Sequence, residues 1–65
     1  MSELGKNIKK LRNEKGISQD RLSKLADVSF QTIVKIELDS DPNPTIDTMK
    51  KIAGALGVGI DELVK

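Results

Sequence analysis

Gln31 and Lys35 stand four residues apart in the run SFQTIVKIE, on the side of a helical repeat that faces away from Ile33 and Ile36. Residues of these types at this spacing could read nucleic-acid bases. A glutamine amide can pair bidentately with adenine, a lysine ammonium can donate to guanine, and Phe30 offers an apolar contact to a thymine methyl; a good bidentate pair is worth roughly 1 to 3 kcal/mol of discrimination. Phe30 also lies one helical step from Ile33, so core filling is open to it as well. Ser29 is placed to cap the helix that carries these residues, which points the first backbone amides outward, where a phosphate or a base edge would be met. Other chemistries are poorly supplied. The chain has no cysteine and no histidine, which removes disulfides, thiolates, the commonest metal ligand and the usual general base. It also lacks a glycine-rich phosphate loop, so no catalytic constellation, metal site, cofactor or small-molecule ligand is expected.

Presenting Gln31 and Lys35 requires a short helix set apart from its neighbours, and the sequence punctuates itself accordingly. Ser2 can cap a first helix with Leu4, Ile8 and Leu11 on one face, stopped by Gly16. After Ile17, Ser18 opens a second helix over about residues 19–26, with Leu22, Leu25 and Ala26 as its apolar stripe. In LADVSFQTI the chain breaks at Asp27-Val28-Ser29 and restarts at once; Ser29 caps a third helix with Phe30, Ile33 and Ile36 on one side, ending near Leu38. A connection of about three residues favours a steep crossing of helices two and three, which is the helix-turn-helix arrangement. A B-form major groove, about 12 Å wide, admits one such helix. The segment Asp39 to Pro44 is a turn. Thr45 caps a fourth helix with Ile46, Met49, Ile52, Ala53 and Leu56 inward and Gly57 closing it, and Ile60 to Lys65 allows a short fifth. No alternation of strand length is present. The expected fold is all-α, a compact bundle of five short helices.

Sixty-five residues allow one domain at most, and a chain this short buries only about 60% of its unfolded surface. No apolar run approaches the roughly 18 residues of a membrane span, and the start MSELGKNIKK lacks the apolar core of a signal peptide, so a soluble cytoplasmic protein is expected. The net charge is +1, but residues 1–35 carry eight basic and four acidic groups, and residues 36–65 carry three and six. The molecule is electrically lopsided, basic in the half that holds Gln31 and Lys35.

Arg12, Gln19, Leu22, Ala26, Val28, Ser29, Ile33, Ile36, Glu37, Pro44, Ile52, Ala53, Leu56, Gly57 and Val58 stand where Cro-like, XRE-type helix-turn-helix regulators carry like residues. The phrase NPTIDTMKKIAGALGV followed by DEL strengthens the match, which covers nearly the whole chain. The chain thus resembles that family, whose fold is lambda-repressor-like. The resemblance implies a DNA-binding transcriptional regulator, most often a repressor, that inserts helix three into the major groove. It implies base contacts from Phe30, Gln31, Val34 and Lys35. Phosphate contacts are implied for Arg12, Gln19, Ser29 and Thr32, and for the start of helix four at Thr45. It further implies that Arg12 and Glu37 form a structural ion pair between helices one and three.

Relatives of this type pair two copies on an inverted repeat, and Val58, Ile60, Leu63 and Val64 are more apolar than a chain end needs, so a homodimer through them is expected. The chain also departs from the family pattern. Asp27 and Asp39 occupy positions where glycine is common, and Asp39 and Asp41 put acid where relatives often place phosphate-binding bases. That acidic segment favours a rival reading, a protein-interaction adaptor or antitoxin built on the same helices.

Overall fold

The computed structural model describes residues 3–38 and 44–65. It consists of α1 (Glu3–Glu14), α2 (Gln19–Ala26), α3 (Phe30–Glu37), α4 (Ile46–Leu56) and α5 (Asp61–Val64), and no strand occurs among the described residues. The cap expected of Ser2 and the turn at Asp39 and Asp41 lie outside the described residues.

Three helices start by one device. The side chains of Ser18, Ser29 and Thr45 accept the backbone N–H three residues on, at 3.0, 3.1 and 3.1 Å, which satisfies one of the donors every helix start leaves open. Three helices also stop by one device. Gly16, Asp27 and Gly57 hold φ of +68°, +58° and +73°, and the N–H of each following residue returns to the carbonyl five positions back: Ile17 to Arg12 O at 3.2 Å, Val28 to Ser23 O and Val58 to Ala53 O at 3.0 Å. This is a left-handed helix stop with its anchoring hydrogen bonds. Each anchor residue, Ile17, Val28 or Val58, then packs its apolar side chain on the core. The break at Asp27-Val28-Ser29 is therefore a stop, an anchor and a new cap in consecutive residues.

The core draws on all five helices: Leu4 and Ile8, Leu22 and Ala26, Ile33 and Ile36, Ile52, Ala53 and Leu56, and Leu63. Helix α2 packs on α3 and α4, while α1 packs on α3 and α5. Two residues expected inward, Leu25 and Ile46, are not, and Phe30, open to either core filling or a base contact, lies at the surface. Leu25 is 49% exposed, Phe30 47% and Ile46 58%. At about 100° per residue Leu25 falls roughly 100° from the centre of the buried face of α2, and Ser23 fills that side instead. Phe30 and Ile46 each occupy the first turn of their helix, so a face that is buried further along is uncovered there.

Two contacts that local pattern does not reveal lock α1 to its neighbours. Gly5 is buried, and a Cβ built on it would overlap the Ile36 carbonyl oxygen and lie 3.2 Å from Glu37 Cα. Only glycine lets α1 and the end of α3 approach this closely. Asn7 Nδ2 donates to Leu63 O at 2.9 Å and Lys65 O at 3.1 Å, which ties the end of α5 to α1.

Gly5→Ala is expected to destabilise the fold by about 1 to 3 kcal/mol through overpacking, even though alanine is the better helix former. Urea unfolding followed by helical circular dichroism reads this directly. Asp27→Gly should act oppositely, raising stability by roughly 0.5 to 1 kcal/mol, because it relieves a left-handed non-glycine residue. A variant melting at or below the parent would show that Asp27 is unstrained.

Candidate nucleic-acid interface

One carboxylate fixes the position of α3. Glu37, the last residue of α3, has a side chain only 4% exposed and accepts three hydrogen bonds. Arg12 donates Nε to Oε2 at 2.9 Å and Nη2 to Oε1 at 3.1 Å, a bidentate pair, and Gln19 Nε2 donates to Oε1 at 3.1 Å. Arg12 Nη1 also donates to Ile17 O at 2.9 Å, so the guanidinium holds the α1–α2 connection as well. The network joins α1, the start of α2 and the end of α3. Gly5 and Arg12, seven residues apart on one face of α1, address the same end of α3.

Above that anchor, α3 turns Ile33 and Ile36 into the core, each 1% exposed. Gln31 and Lys35 lie on the opposite face and are exposed, while Val34 and Thr32 at its flanks are half-buried and Phe30 is open to solvent. All four residues expected to meet bases thus retain surface. Lys35 has no carboxylate partner among the described residues, and neither does Arg21 on α2.

The residues expected to meet phosphate divide on donor accounting. Gln19 gives one amide hydrogen to Glu37 and keeps the second, at the half-buried start of α2. Ser29 Oγ and Thr32 Oγ1 lie 2.7 Å apart while Ser29 Oγ also accepts the Thr32 N–H. One of these two hydroxyl protons is used between them, and the other remains for an anion. Thr45 spends its only hydroxyl proton on Thr48 Oγ1 at 2.9 Å, which leaves the amides of the first turn of α4 as the donors at that end. Arg12 spends three of its five N–H donors within the protein, on Glu37 and Ile17 O. Its side chain is 11% exposed, and its charge is countered by Glu37.

The apolar chain end also divides. Leu63 is 0% exposed and belongs to the core, so it offers a second copy no surface; Val64 is 53% exposed. Val58 and Ile60 are half-buried against the core. Among the described residues no cluster of carboxylates is arranged to hold a metal ion, and no helix is long and apolar enough to cross a membrane.

Comparison with known proteins returns one family. A helix-turn-helix family model matches residues 8–63. The immunity repressor protein of Bacillus phage phi105 is 34% identical over 61 residues, covering 94% of this chain and 42% of that protein. SinR of Bacillus subtilis, an HTH-type transcriptional regulator, is 33% identical, with 94% and 55% covered. The chain therefore spans about half the length of these two relatives. An HTH-type transcriptional regulator of Sinorhizobium fredii, y4dJ, is 38% identical over 94% of this chain and 78% of its own. The N-terminal DNA-binding domain of SinR superposes with a TM-score of 0.89 at 33% identity, covering 92% of this chain and 87% of that one.

Replacing Arg12 with Leu strands the Glu37 carboxylate, and replacing Glu37 with Leu strands the guanidinium. Each single change should cost roughly 3 to 5 kcal/mol, and the double change should cost distinctly less than the two combined, because no buried charge is then left alone. Denaturant unfolding of the three variants measures the difference; additive losses would mean the groups do not act as a pair.

Proposed function

The chain belongs to the XRE-type helix-turn-helix family of DNA-binding transcriptional regulators, and from that premise we propose that it reads duplex DNA by laying α3 in the major groove, as a homodimer on an inverted repeat. The observation that carries the reading is the division of α3 into two faces. Ile33 and Ile36 are buried, and Gln31 and Lys35 are exposed opposite them on a helix held at its far end by Glu37. Gln31 pairs with adenine and Lys35 donates to guanine, with Phe30 and Val34 making apolar contacts beside them. Gln19, the Ser29–Thr32 hydroxyl pair and the amides that follow Thr45 hold the phosphates and set the register.

The size of the protein supports a dimer. One copy, 24 × 22 × 20 Å across, is smaller than the roughly 34 Å between successive major grooves on one side of a duplex, so it reaches one groove and a second copy supplies the other. Val64, with the exposed parts of Val58 and Ile60, is the surface through which they meet. Bound over a promoter, such a dimer blocks access and acts as a repressor, in the cytoplasm of a prokaryotic cell or phage-infected host, and no enzymatic role is assigned to it.

Selection from a random duplex library should recover one palindrome, and recovery of no preferred sequence would overturn sequence-specific binding. On the recovered duplex, Gln31→Ala should relax preference at one or two positions by about 1 to 3 kcal/mol while leaving thermal stability unchanged. Unchanged preference would remove Gln31 from the reading set.

A further inference from the structure

Leu38 lies immediately after α3 and is 71% exposed, an unusual position for a leucine in a chain so short of apolar surface to bury. It is the C-cap of α3, and its N–H still makes the last helical hydrogen bond. The Leu38 N–H donates to Val34 O at 2.9 Å, and its φ and ψ of −84° and 0° keep it close to helical register. Leu38 therefore follows Phe30 and Val34 at i, i+4 and i+8, and follows Gln31 at i+7. The ridge drifts by about 40° at each step, away from the core and toward the reading face. Phe30, Val34 and Leu38 together form an apolar ridge about 12 Å long beside the polar pair Gln31 and Lys35.

We propose that Leu38 is a specificity-determining residue, and that this apolar ridge recognises the 5-methyl groups of thymine in the bound duplex. The proposal rests on the reading that α3 occupies the major groove. Three observations favour methyl groups over other occupants. The ridge is continuous with the face carrying Gln31 and Lys35, so whatever meets those side chains meets the ridge. The helix has no arginine for bidentate recognition of guanine, and its amide, Gln31, suits adenine, whose partner thymine brings the methyl. In the major groove the thymine methyl is the apolar feature of the base edges, and it matches aliphatic and aromatic side chains that have nothing to donate. Gln31 and the ridge thus describe one preference, for A·T pairs read through both partners.

The test uses the duplex recovered by selection and replaces its thymines one at a time with deoxyuridine, which removes the methyl and keeps the pairing. The wild-type chain should lose about fourfold in affinity at one to three positions of each half-site, the effect of one buried methyl group at each. Leu38→Ala should keep the parent melting temperature and lose that discrimination at one of those positions, binding its thymine and deoxyuridine duplexes equally. Equal wild-type binding to all the thymine and deoxyuridine duplexes overturns the proposal while leaving major-groove reading intact, and so does a Leu38→Ala loss that is the same on both. Recovery of no preferred duplex overturns both.

Discussion

The Glu37 carboxylate is the constraint on which the rest of the molecule depends. It sits at the end of α3, almost wholly removed from water, and takes hydrogen bonds from two helices at once. A buried charge of this kind is tolerable only when its partners are held in place, and its net contribution to stability against an apolar substitute is small. What it supplies is position. Gly5 lets α1 come close enough for the pair to form, and Arg12 in turn grips the connection to α2 through Ile17 O. Helix α3 is thereby held at one end and along one stripe, which leaves its outer face uncovered.

That outer face is modest electrically. Lys35 is the one cation on α3, and Gln31 carries no charge. The basic excess of the chain lies mainly on α1, where Lys6, Lys9 and Lys10 project on the side opposite Leu4 and Ile8. On the proposed reading, binding through α3 would lean on hydrogen bonds from neutral groups, namely Gln19, the Ser29–Thr32 pair and the free amides of helix starts, more than on ion pairs with phosphate. Few neutralised phosphates mean a shallow dependence on salt. The N-terminal DNA-binding domain of SinR shares this helical frame, while the apolar ridge beside Gln31 belongs to this chain's own side chains.

Much of the frame was legible in the sequence because it is local chemistry. Ser18, Ser29 and Thr45 cap what they were expected to cap, and Gly16 and Gly57 stop their helices, since each needs only partners within five residues. The Arg12–Glu37 pair, 25 residues apart, came from family resemblance and not from periodicity. Contacts that span the chain without such a guide were invisible: Asn7 meets Leu63 across 56 positions, and Gly5 reads locally as a weak helix residue until α3 is laid against it. Periodicity also names a face without saying how far along the helix a neighbour covers it. That is why Phe30 and Ile46, in first turns, proved exposed, and why Leu38 passed as a terminator when it prolongs the ridge.

The central claim is that the outward face of α3 meets the duplex while α1 does not. It is tested most directly by recording backbone amide NMR shifts as a short random-sequence duplex is titrated into the protein. The account predicts that shifts concentrate at Gln19, at Ser29 to Lys35, at Leu38 and at the first turn of α4 after Thr45, with the Lys6 to Lys10 face of α1 unmoved. Shifts centred on that lysine face, with α3 unchanged at saturation, would contradict it.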